Sequence, residues 1–128
     1  MARYFEFRWT SGTGQPGTSL SHVLGGTWQP SLNAYRCENS IEVCFDLAGV
    51  DKERIDIQIE PGRLVVRGVR AAPEPASCDP QPQQILAMEI DHGPFLRELR
   101  LPAEVLRDEV TAEYRNGLLW IHLPLRHE

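Results

Sequence analysis

Val110-Thr-Ala-Glu-Tyr114-Arg-Asn116-Gly117-Leu-Leu119-Trp-Ile121-His-Leu123 decides the fold class. Val110, Ala112 and Tyr114 alternate with polar residues on the way into Asn116-Gly117, and Leu119, Ile121 and Leu123 alternate on the way out. Asn-Gly accepts the positive φ angles that a two-residue hairpin turn requires. Period-2 alternation on both sides of such a turn is the signature of two antiparallel strands, each with one buried face.

The same pattern recurs toward the N-terminus. Ile41, Val43, Phe45 and Leu47 alternate with Glu42, Cys44 and Asp46, which puts Cys44 on the polar face. Ile55, Ile57 and Ile59 alternate with Asp56, Gln58 and Glu60. After Gly62, the run Arg63 to Arg70 carries Leu64, Val65, Val66 and Val69 and reads as a strand buried on both faces. Ile85 to Ile90 predicts a further short strand, closed by His92-Gly93-Pro94, and Phe95, Leu99 and Leu101 mark another, stopped by Pro102. Only Ala103 to Glu109 suits a helix, of one or two turns. Seven or eight short strands separated by turn signals predict an all-β sandwich or barrel.

Composition narrows the function classes. The chain has 128 residues, enough for one domain with a real core, and its 41% hydrophobic fraction is ordinary for such a domain. With 18 acidic against 13 basic residues the net charge is -5, which disfavours a nucleic-acid partner. The N-terminal residues carry Arg3, Glu6 and Arg8 without an apolar signal core, and no run is long enough to span a bilayer. The expectation is a cytoplasmic protein without a membrane partner. Cys37, Cys44 and Cys78 are odd in number and far apart, and read as reduced thiols. His22, His92, His122 and His127 show no metal-ligand spacing, and no serine sits in a nucleophile elbow. Gly12-Thr-Gly14-Gln-Pro-Gly17 matches a dinucleotide-binding pattern, yet no buried strand precedes it and no helix-forming run follows. No cofactor, metal or enzymatic activity is expected.

Several stretches, in order, resemble the alpha-crystallin domain of small heat-shock proteins. Trp28-Gln-Pro30 resembles the family's W-x-P entry. Phe45-Asp-Leu-Ala-Gly-Val50 with Asp51-Lys-Glu-Arg-Ile-Asp-Ile57 resembles its Pro-Gly segment, with Ala48 where proline is usual. Gly62-Arg-Leu-Val-Val-Arg-Gly68, Gly93-Pro-Phe95-Leu-Arg97-Glu-Leu-Arg-Leu-Pro102 and Ala112-Glu-Tyr-Arg-Asn-Gly-Leu-Leu119 match three further family segments. Together they cover about residues 28 to 125.

The resemblance implies an immunoglobulin-like Greek-key β-sandwich of two antiparallel sheets. It divides the chain into an N-terminal arm (1–27), the domain (28–125, with a strand-exchange loop at 71–93) and a vestigial tail (126–128). It further implies an ATP-independent holdase that binds unfolding proteins. In bacterial and plant relatives the loop carries a strand that pairs with a partner's first strand. The matching dimer-interface residues are Leu32, Ala34 and Tyr35 on the acceptor, Ile85, Leu86, Met88 and Ile90 on the loop, and Arg97 near the interface. Residues 71–84, with Pro73, Pro75, Pro80 and Pro82, reach at most about 46 Å when extended, which suits such a spacer.

The resemblance also implies client or subunit binding in a groove between the strand of Ile55, Ile57 and Ile59 and that of Val110, Ala112 and Tyr114, and the arm aromatics Tyr4, Phe5, Phe7 and Trp9 offer a second apolar surface for clients. The arm is also a candidate occupant of that groove. Only Arg126-His127-Glu128 follow the last strand, so a homodimer or small oligomer is expected rather than a large cage. The alternative is a non-chaperone adaptor module built on the same sandwich.

Overall fold

The computed structural model describes residues 8–9, 27–78 and 81–127. Its strands are β1 (Arg8–Trp9), β2 (Leu32–Arg36), β3 (Ser40–Asp46), β4 (Ile55–Glu60), β5 (Arg63–Arg70), β6 (Gly93–Arg100), β7 (Thr111–Arg115) and β8 (Leu118–Pro124). They form two four-stranded sheets, ordered β1-β4-β5-β6 and β2-β3-β8-β7. The chain leaves the second sheet after β3, builds β4 to β6 in the first, and returns so that β8 pairs with β3. All pairs are antiparallel except β1 with β4, where Arg8 lies opposite Asp56 and Trp9 opposite Ile57 in parallel register.

The deciding hairpin forms as its sequence requires. Asn116 has φ 55° and Gly117 φ 79°, the pair of left-handed residues that matches the twist of the flanking strands. Its inward residues Ala112, Leu119, Ile121 and Leu123 are fully buried, as are Val43, Phe45, Leu47, Ile55, Ile57 and Ile59. These side chains, with Leu64, Val66 and Phe95, fill the space between the sheets. Burying each large aliphatic side chain contributes roughly 1.5–3 kcal/mol, so the alternating positions carry most of the stability.

The sequence expectations need four corrections. Ile85–Ile90 makes no ladder with any strand among the described residues, and there β2 pairs with β3 alone. Cys44 is buried despite its place on the outward face, because the strands bearing Asn33 and Trp120 flank it. In β5, Leu64, Val65 and Val66 are buried while Val69 is 38% exposed, so only the middle of that strand is covered on both faces. The helical segment shrinks to a single 3-10 turn, Arg107–Glu109.

Candidate functional site: an exposed apolar loop and the sheet edges

Two contacts fix how the sheets face each other. Arg97 Nη1 on β6 donates to the Pro30 carbonyl at 2.8 Å, just before β2. Trp28 forms a parallel bridge with Phe95, its ring centroid 5.3 Å away. These contacts place β6 on the side of the sandwich where β2 begins, which leaves the β1/β4 margin of its sheet on the side of β7. Within the chain, Arg97 thus finds its partner in a backbone carbonyl.

On the β6/β2 side, β2 is an edge strand. Leu32 is half-buried, whereas Ala34 and Tyr35 are exposed. Tyr35 stacks against Trp120 of β8, with centroids 6.4 Å apart and planes 20° from parallel. Beside this pair, His122 Nδ1 donates to Glu42 Oε2 at 2.5 Å, and Ser40 Oγ donates to the same oxygen at 2.6 Å. Trp120 was not singled out from the sequence. The available signal was parity: a large aromatic ring at an outward position between the inward Leu119 and Ile121.

The loop between β5 and β6 carries the largest exposed apolar group among the described residues. Ile85 is 61% exposed, Leu86 87%, Met88 64% and Ile90 61%. Four large apolar side chains within six residues, all exposed, are unusual for a lone chain. The structure does not bring them onto the chain's own β2.

On the other side, the expected groove residues Ile55, Ile57, Ile59, Val110 and Ala112 all point into the core and are fully buried. They are framework, and what β4 and β7 offer is backbone edge. The β4 edge is taken by Arg8–Trp9. Tyr4, Phe5 and Phe7 lie outside the described residues, and of Trp9 only the backbone is described. The outward side chains of β4 are covered as well: Arg67 Nε donates to the buried Asp56 Oδ2 at 2.9 Å, and its Nη2 to the Gln58 Oε1 at 3.1 Å.

Tyr114 closes the end of β7. Its hydroxyl lies 2.6 Å from the Leu47 carbonyl and 2.8 Å from that of Val50, so its one proton is shared between two acceptors on the β3–β4 connection. Burial pushes its pKa upward. The neutral phenol is therefore favoured in the folded state. Its contribution to stability is complete below pH of about 10, the ordinary tyrosine value, and is lost as pH rises through the higher folded value. Tyr114→Phe is expected to cost about 1 kcal/mol at neutral pH in urea unfolding and to flatten the alkaline loss of stability.

Burial, with the Asp46 carboxylate adding to it, also pushes the Cys44 thiol upward. Thiolate is the reactive species, so alkylation at neutral pH is expected to modify the exposed Cys37 and Cys78 readily and Cys44 only on unfolding. Peptide mapping of the alkylated protein checks this. Among the described residues no group of His, Cys, Asp or Glu could hold a metal ion. No helix among them is long and apolar enough to cross a membrane.

The family model described as "Hsp20/alpha crystallin family" matches residues 33–128. The chain belongs to the Hsp20/alpha crystallin family. Its similarity to 18 kDa antigen 1 of Mycobacterium avium is 37% identity over 108 residues, covering 82% of this chain and 69% of that protein. Heat shock protein 16 of Schizosaccharomyces pombe is 28% identical, covering 82% and 72%. Among solved structures, heat shock protein 16.0 from S. pombe superposes with a TM-score of 0.68 at 26% identity, covering 77% of this chain and 87% of that one. The hspA structure from Xanthomonas axonopodis gives 0.67 at 30% identity, covering 79% and 97%. Small heat-shock proteins of the Hsp20/alpha crystallin family are ATP-independent chaperones and not enzymes, so the chain has a chaperone-like role. Membership also implies self-association and binding of unfolded proteins.

Proposed function

We propose that this chain is an ATP-independent holdase whose working unit is a strand-exchanged homodimer. The carrying observation is the pairing of opposites on one surface: Ile85–Ile90 is exposed and without a ladder, and β2 is an edge strand with exposed residues. Adding the segment to the β2 edge of a second copy would satisfy a strand's hydrogen bonds and cover apolar area together. Leu32, Ala34 and Tyr35 would receive it.

Unfolding clients would be held on apolar surface away from that interface, including the arm residues Tyr4, Phe5, Phe7 and Trp9. The pairing of Arg8–Trp9 with the β4 edge supports a role for the arm as an occupant of that edge which a client or a second subunit displaces. In this scheme residues 1–27 act as the arm, 28–125 as the domain and 126–128 as a tail. The place of action in this scheme is the cytoplasm.

The experiment is light scattering of a heated or reduced model client with equimolar protein and no nucleotide, run beside native mass measurement. Suppressed scattering and a dimer mass are expected. Unsuppressed scattering would overturn the holdase in favour of an adaptor module, and monomer alone at micromolar concentration would overturn the exchange.

A further inference from the structure

Residues 71–90 lie between two points that the same pair of side chains holds. Arg70 is the last residue of β5, where the loop departs. Its Nε and Nη2 donate to the carbonyl of Asp91, where the loop returns, at 2.8 and 2.5 Å. Its Nη1 donates to the Ala48 carbonyl at 3.1 Å. Its Cζ also lies over the Trp28 ring, 4.2 Å from the centroid. Trp28 in turn donates from Nε1 to the Gly93 carbonyl at 3.1 Å, and its backbone bonds Pro94 and Leu96 at 3.2 Å each. One cation and one indole thus tie the loop's exit to its re-entry, and tie both to the first residues of the domain and to the β3–β4 connection.

We propose that Arg70 and Trp28 form a latch that fixes both roots of the loop and so sets the direction in which Ile85–Ile90 is presented to a second copy of the chain. This rests on the strand-exchange reading above and adds to it two positioning residues. Without the latch, the returning end of the loop would sample many orientations. The fraction of chains presenting the segment correctly would fall, and apparent dimer affinity falls by the same fraction. The chemistry explains why arginine suits the position. A guanidinium fork can reach carbonyls in two directions while its centre sits over an indole, and an ammonium cannot.

The test uses the full chain with Arg70→Ala, Arg70→Lys and Trp28→Phe, each followed by native mass across a dilution series. A parallel thermal melt is made at a concentration where only monomer is present. Arg70→Ala is expected to raise the dimer dissociation midpoint roughly tenfold, the change that follows if about one chain in ten then presents the segment correctly. Arg70→Lys should recover little of this, and the monomer should melt close to wild type. A merely structural arginine would lower the monomer's melting temperature and leave the midpoint alone, and that result overturns the latch.

If Arg70→Ala fails to fold, Trp28→Phe carries the test, since it keeps an aromatic ring and deletes the bond to Gly93. Wild-type midpoints in every variant that folds overturn the proposal. Leu86→Asp/Met88→Asp serves as the reference: a monomer there with an unchanged Arg70→Ala midpoint sinks the latch alone, whereas a persisting dimer sinks the strand exchange and the latch with it.

Discussion

Placing aspartate at both Leu86 and Met88 is expected to give a folded protein that stays monomeric at every accessible concentration. In the single chain both side chains stand in water, Leu86 87% exposed and Met88 64%, so the sandwich loses nothing when they become charged. On a neighbour's sheet edge the outcome reverses. Leu86, Met88 and Ile90 alternate, so in an extended strand all three point to one face. Two carboxylates would then be carried into an apolar interface without a partner, which costs several kcal/mol each. A dimer of micromolar stability has about 8 kcal/mol of binding free energy, so two such penalties abolish it. Native mass spectrometry gives the assembly state and far-ultraviolet circular dichroism the fold. If the doubly substituted chain remains dimeric, residues 85–90 are not the interface.

Alanine at Gly68 is expected to remove more stability than any other single methyl added to the sandwich. Gly68 sits in β5 opposite Ile55 on one side and Phe95 on the other. A Cβ there would stand 2.1 Å from the backbone oxygen of Arg54 and 2.7 Å from the Phe95 ring. The oxygen belongs to the turn that launches β4, and the ring is fully buried, so neither can yield without moving a strand. Overpacking of this severity costs about 3 kcal/mol or more. Gly62→Ala is the matched comparison. Its φ is +77° but nothing lies within 4 Å of the new Cβ, so only backbone strain remains, about 1–2 kcal/mol. Urea unfolding of the two variants should separate them clearly; equal losses would mean that the β5 contact relaxes.

The sandwich was legible because its information is local. Asn116-Gly117 fixes a turn geometry by itself, and the alternation through Ile41–Leu47 and Ile55–Ile59 fixes which atoms face inward. What the sequence hid depends on contacts across the sheets or on a missing partner. Ile85–Ile90 has the composition of a strand, but a strand exists only where an edge receives it. Cys44 looks solvent-facing by parity, and neighbours across the sheet bury it. The alternation that picked out Ile55, Ile57, Ile59, Val110 and Ala112 as apolar also turns their side chains to the core, so that what remains at the edge is backbone. Trp28 stood out only as part of the W-x-P entry and Arg70 not at all, because their shared role arises from carbonyls of Asp91, Ala48 and Gly93 that the chain brings to them.

The parallel pairing of Arg8–Trp9 with β4, and the parallel bridge of Trp28 with Phe95, have a consequence for growth. Both outer margins of the β4-β5-β6 sheet are touched by the chain's own preceding residues. The other sheet ends in β2 on one margin and β7 on the other, and neither has a second strand beside it among the described residues. A sheet open at both margins can template a row: one margin accepts a visitor while the other still offers itself. Growth that displaces nothing would therefore run along the line from β2 to β7, with a sister subunit at the β2 margin and the β7 margin still open.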